Sequence, residues 1–197
     1  MKKIAIILLL FFVTGCTMVR IDTSSIDTIT NVVLSKDNKL FNRIGKGYKY
    51  YVPRGVNYID NNDYNDKLYA NGNYYYLYID TISFYHNVDS KYTVNNNAYY
   101  SKELDINNKK GYLEINKIDD KYLIEFMYNY AKIEAFVDYE SINDVVLNSS
   151  YILSTIKFNS NVIELMLDTD YFINKEEQYD IFTSKKTTNK VLEYSEE

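Results

Sequence analysis

A 197-residue chain with 23 tyrosines, no tryptophan and one proline is long enough for one hydrophobic core, and its formal charge of −5 at pH 7 argues against a general grip on nucleic acid or anionic head groups. One cysteine and one histidine exclude an internal disulfide and any multi-histidine or Cys/His zinc site. The expectation is a single domain that relies on its core, with no cofactor indicated.

Met1-Lys2-Lys3 makes a positive start, Ile4 to Val13 are ten uncharged, apolar residues, and Val13-Thr14-Gly15-Cys16 closes the run with small residues before a cysteine. Ten apolar residues fall short of the roughly 20 needed to cross a bilayer. This segment resembles a bacterial lipoprotein signal peptide with its lipobox. The resemblance implies a signal peptide over residues 1–15, lipidation of Cys16 and a lipid-anchored position on the extracytoplasmic face of the cell membrane. At about 0.8 kcal/mol per buried methylene, the two chains of a diacylglyceryl group give stable anchoring where one chain is marginal. Removing Lys2 and Lys3 would shift the formal charge from −5 to −7, so lipid rather than charge would hold the membrane as partner. Residues 16–25 then read as the lipidated cysteine and a short polar tether, 26–184 as a globular domain, and 185–197 as a polar tail prone to fraying.

Ser24 and Ser25 are placed to cap a helix on which Ile26, Ile29, Val32 and Val33 recur at helical spacing, broken at Ser35-Lys36-Asp37-Asn38. Tyr48 to Val52 alternates as a strand between Gly45-Lys46-Gly47 and Pro53-Arg54-Gly55. Gly-Lys-Gly here precedes a strand and lacks the span and Ser/Thr of a phosphate loop. The oxygen-rich run Asp60 to Asp66 fails the calcium-loop pattern, with Tyr64 or Lys67 at the fifth position, and reads as a solvated loop. After Asn71-Gly72-Asn73, a long strand is predicted from Tyr74 to Tyr85. Tyr74, Tyr76, Tyr78 and Asp80 would share one face, and Tyr75, Leu77, Ile79 and Thr81 the other.

Asn107 to Gly111 reads as a turn, followed by strands Tyr112 to Asn116, Tyr122 to Tyr128 and Lys132 to Val137. Their connections, Asp119-Asp120 and Asn129-Tyr130, are short enough to force antiparallel hairpins. Tyr122, Ile124, Phe126, Tyr128, Ile133, Ala135 and Val137 are the expected inward residues of this β-meander. Ile142 to about Lys157 is an amphipathic helix with Ile142, Val145, Val146, Ser149, Ile152, Leu153 and Ile156 on one face, and Ser141 with Asp144 resembles a capping box. Val162 to Leu167 is a further apolar run. A stripe of this kind needs a partner, and the meander supplies one. The predicted fold class is α+β: one domain, mainly antiparallel sheet, with an early helix and a late amphipathic helix packed on it.

Two stretches, Tyr48 to Gly55 and Ile152 to Phe158, resemble the early extended segment and closing helix of the PsbP-like fold. The resemblance implies an α/β/α sandwich and favours binding, assembly or accessory roles.

Chemistry is sparse. His86, after Ser83-Phe84-Tyr85, would stand at a strand end, and neither Ser83 nor Ser90 lies in a nucleophile-elbow sequence. Glu114, Glu125 and Glu134 are the candidates for a carboxylate-based hydrolase, but cross-strand pairing with Lys121 and Lys132 on a wet face accounts for them more simply. No catalytic residue, metal ligand or cofactor is predicted. Two readings remain: a membrane-anchored, non-catalytic envelope protein that contacts another protein, or a tethered module binding glycan or peptidoglycan through Tyr74, Tyr76, Tyr78, Tyr99 and Tyr100.

Overall fold

Hairpins dictate the architecture. In the computed structural model, which describes residues 22–62, 65–88 and 90–167, paired Asn or Asn-Gly turns fold the chain back on itself repeatedly. Asn71 and Gly72, Asn107 and Asn108, and Asn129 and Tyr130 all have positive φ, the geometry that matches the twist of two-residue hairpins. The expected signal peptide, Cys16, the expected tether up to residue 21, and residues 168–197 with the expected tail lie outside the described residues.

The elements in order are α1 (Ile26–Leu34), β1 (Arg43–Gly45), β2 (Tyr48–Tyr50), β3 (Asn57–Asn62), β4 (Asn65–Ala70), β5 (Asn73–Ile79), α2 (Thr81–His86), β6 (Tyr100–Ile106), β7 (Lys109–Ile118), β8 (Lys121–Tyr128), β9 (Ala131–Val137), a 3₁₀ turn (Tyr139–Ser141), α3 (Ile142–Ser154), β10 (Lys157–Phe158) and α4 (Ser160–Leu167). Strands β3 to β9 form one seven-stranded antiparallel sheet in the order β3-β4-β5-β9-β8-β7-β6. A second sheet has the order β1-β2-β10. The chain is thus α+β and mainly antiparallel, as its patterning predicts. Among the described residues no helix is long and apolar enough to cross a membrane.

Register assigns the faces. Leu77 lies opposite Ile133, Ile133 opposite Phe126, and Phe126 opposite Leu113, so these residues form one apolar row across four strands. All seven expected inward residues of the meander are buried on this first face. The stripe of α3 covers it, with Ile142, Val145, Val146, Ser149, Ile152, Leu153 and Ile156 all buried, and α1 packs alongside α3. Tyr100 and Lys102 on β6 reach Asp27 of α1 at 3.1 and 2.6 Å and tie that helix to the sheet edge. The small sheet completes the layer. Tyr48 and Tyr50 enter the core, and the Tyr51 amide donates to Thr155 Oγ1 at the end of α3 (3.0 Å). The stretches Tyr48 to Gly55 and Ile152 to Phe158 meet here, since Phe158 pairs with Tyr48 and Lys157 with Lys49.

Several local expectations are corrected. The strand from Tyr74 stops at Ile79, because the Asp80 side chain accepts from the Ser83 amide (2.7 Å) and starts α2, so His86 ends a helix rather than a strand. The expected solvated loop Asp60 to Asp66 is shortened, since β3 runs to Asn62 and β4 starts at Asn65 with residues 63 and 64 outside the described residues, and Asp66 is buried, accepting a hydrogen bond from the Tyr50 hydroxyl. Only Asn107 and Asn108 turn, since β7 already begins at Lys109. Ser25 does cap α1, accepting from Thr28 N, but Ser141 makes no side-chain cap; the 3₁₀ turn leads into α3 instead.

Gly111 reports on the β7–β8 register. A Cβ added there would lie 2.0 Å from the Met127 carbonyl oxygen. Gly111→Ala should cost about 3 kcal/mol through overpacking, whereas Gly72→Ala, at φ +84° with open space around it, should cost about 1 kcal/mol through left-handed strain alone. Urea unfolding of both variants checks this, and equal midpoints would contradict the pairing.

Candidate functional site

The second face of the large sheet carries the polar chemistry. Alternation places Tyr74, Tyr76 and Tyr78 here on β5, Lys132 and Glu134 on β9, Glu125 on β8, and Tyr112 and Glu114 on β7. The connection from β5 to β6, residues 80–99, must run from one end of the strands to the other, because β6 is the edge strand four steps from β5 and the two run in the same direction. With α1 and α3 on the first face, the connection crosses the second. Tyr92 stacks flat on Tyr112, with ring centroids 4.2 Å apart and an interplanar angle of 2°.

Glu114 fastens that crossing. Its carboxylate accepts from the Tyr92 hydroxyl, from Asn95 Nδ2 (3.0 Å) and from Asn116 Nδ2 (2.8 Å), while the Asn95 amide donates to Ser101 Oγ (2.8 Å). Burial and the bond to Glu114 raise the Tyr92 phenol above its ordinary pKa. Burial, then the nearby Glu125, Glu114 and Glu134, does the same for Tyr112. Both phenols therefore remain protonated donors at physiological pH.

The three glutamates form a row: Glu114 lies opposite Glu125, and Glu125 opposite Glu134. The face around Lys132 and Glu134 is buried rather than wet, which corrects that part of the expectation. Lys121 pairs with Asp138 (3.4 Å), and Lys132 pairs with Glu134 two residues along its own strand (2.6 Å). This last pair is deeply buried, with side chains 13% and 4% exposed. The other oxygen of Glu134, Oε2, has no hydrogen-bond partner among the described residues. No group of His, Cys, Asp and Glu among the described residues is arranged to hold a metal ion.

The five predicted binding tyrosines do not converge on one site. Tyr74, Tyr76 and Tyr78 share the second face, where Lys67 Nζ lies 4.4 Å over the Tyr74 ring and 5.6 Å over that of Tyr76. Tyr100 belongs to the first face, bound to Asp27, and Tyr99 packs at the sheet end against Tyr122 (5.0 Å) and Tyr139 (6.2 Å). Between β5 and β6 stand three strands, hence about 19 Å at about 4.8 Å per step. His86 is exposed at the end of α2 while Ser83 is buried at its start. Tyr92 and Asn95 escaped sequence reasoning because their partner Glu114 follows 22 and 19 residues later, a spacing with no local signature.

Comparison with known proteins yields no match: no protein-family profile, no curated protein sequence and no solved structure is similar to this chain.

A buried pair costs most when half of it is removed. Lys132→Met should destabilise the protein by about 3–5 kcal/mol, leaving the Glu134 carboxylate uncompensated, while Lys132→Met with Glu134→Leu should return to within about 1 kcal/mol of the parent. Denaturant midpoints test this, and a double variant as unstable as the single one would show that the charge is not the cause.

Proposed function

We propose that the protein is a membrane-anchored extracytoplasmic lipoprotein whose domain makes non-catalytic contacts with another component of the cell envelope. The observation that carries this reading is Val13-Thr14-Gly15-Cys16 closing a ten-residue apolar run behind two lysines. The position of the tether supports it. Asn143 Nδ2, at the start of α3, donates to the carbonyls of Thr23 (2.9 Å) and Ser24 (3.4 Å), so the chain enters the domain at one defined end. Asp22 is six residues beyond Cys16, and six residues span at most about 22 Å when extended. That end of the domain would therefore stay near the bilayer and the other end would face away.

The interaction role draws support from how the polar groups are used. Glu114 is engaged by three side chains and Glu134 by Lys132, which gives both carboxylates structural tasks.

Cys16→Ala should abolish incorporation of an alkyne-labelled fatty acid and shift the chain out of the membrane pellet; unchanged labelling and pelleting would overturn the anchor. In the same cells, a photoreactive residue at exposed Tyr74 or Leu40 should yield a recurrent protein adduct. Glycan adducts at Tyr74 would favour the tethered glycan-binding module instead.

A further inference from the structure

The end of the domain away from the tether is basic although the chain is acidic. α1 runs nine residues, about 13 Å, from the tether end to Leu34. A groove of about 510 Å³ lies beyond it, lined by Val33, Leu40 and Tyr151 together with Lys36, Asp37 and Lys39. Asp37 is approached by Lys39 (3.9 Å) and by Lys157 of β10 (3.8 Å). Lys157 stands opposite Lys49, and Lys49 opposite Ile44, so the three share one outward row of the small sheet. Lys109 belongs to the same cluster: burial, then the charge of Lys157, lowers its pKa, with Asp37 acting the other way.

Apolar side chains sit among these charges. Leu40, Phe41 and Ile44 are 57%, 48% and 76% exposed, and Lys49 Nζ lies 4.2 Å over the Phe41 ring. Three large hydrophobics exposed within residues 40–44, with Leu40 in the groove beside Lys36 and Lys39 and with Phe41 and Ile44 beside Lys49, mark an interaction surface rather than a solvated turn. β1 is also an edge strand of its sheet, with no outer strand paired to it among the described residues, the kind of edge an extended segment can extend.

We infer that this surface, formed by residues 36–44 with Lys49, Lys109 and Lys157, docks an acidic segment of a partner protein that also carries apolar side chains. Charge complementarity argues for that occupant. Five lysines and one aspartate gather here in a chain of net charge −5, so a second copy, acidic overall, meets this end less favourably than a local acidic stretch does. The lysines speed encounter and set orientation, and the apolar trio supplies the area removed from water. The inference rests on the envelope-contact reading, and names where that contact is made.

The test is fluorescence anisotropy with a labelled twelve-residue peptide of alternating Glu and Leu, titrated with the full chain in neutral-lipid nanodiscs and with the Cys16→Ser chain in solution. Binding should be the same in both forms, so a failed anchor leaves the result readable. Lys49→Glu with Lys157→Glu should weaken binding about tenfold or more, as should Phe41→Ser with Ile44→Ser, while Lys121→Glu at the tether end should leave it unchanged. Raising salt from about 50 to 500 mM should also weaken it severalfold. Circular dichroism melts confirm that each variant folds. Equal binding by the charge-reversed variant, equal binding of a Glu/Ser peptide, or self-association through this surface in sedimentation would each overturn the proposal.

Discussion

The pairing of β5 with β9 holds the molecule together. Hairpins alone would give two separate ribbons of three and four strands, β3-β4-β5 and β6-β7-β8-β9. With Leu77 set against Ile133 and Ile79 against Ala131, the ribbons fuse into one sheet wide enough to be covered by α1, α3 and the small sheet. The same pairing fixes the rest of the layout. It sends the chain across the second face to reach β6, which brings Tyr92 onto Tyr112 and Asn95 to Glu114.

Each face solves a different problem. The first is apolar and gains from burial, with polar groups such as the Asp66 carboxylate and the Asn129 amide met by Tyr50 and by the Ile156 carbonyl. The second holds a buried ion pair and part-buried carboxylates, and these charges need built-in partners. Lys132 serves Glu134, and Tyr92, Asn95 and Asn116 serve Glu114. Tyrosine suits this setting, since one ring gives area and one hydroxyl gives a donor. The abundance of tyrosine thus finds much of its use inside the fold, with Tyr50, Tyr75 and Tyr128 among the largest fully buried side chains. Charge left over is sorted by position, with lysines gathered around Asp37 at the end remote from Thr23 and Ser24, where the chain enters the domain.

The legible parts were those with strong local periodicity. The stripe of α3, the three meander strands and the Ser25 cap of α1 were each readable because apolar spacing or capping chemistry repeats within a few residues. β3, β4 and β6 were not, since Asn57–Asn62, Asn65–Ala70 and Tyr100–Ile106 mix charge into their alternation and borrow their stability from neighbouring strands. α2 hid within an apparent strand; Asp80 followed by Thr81-Ile82-Ser83 was the available clue, a capping residue three before the amide it accepts from. The tyrosine site illustrates a further limit. Sequence alternation correctly put Tyr74, Tyr76 and Tyr78 on one face, but nothing local could show that Tyr99 and Tyr100 lie four strand steps away, with Tyr100 turned to the opposite side.

By itself the sequence determined the α+β class, the hairpin turns, the inward face of the meander and the stripe that α3 lays on it, because each follows from backbone preferences and hydrophobic spacing over a few residues. Only the tertiary structure decided which strands neighbour one another, which glutamates are buried in ion pairs, and where lysines 36, 39, 49, 109 and 157 gather around a bare apolar trio. These are contacts between residues tens of positions apart, and their geometry is set by sheet order, which no local pattern encodes.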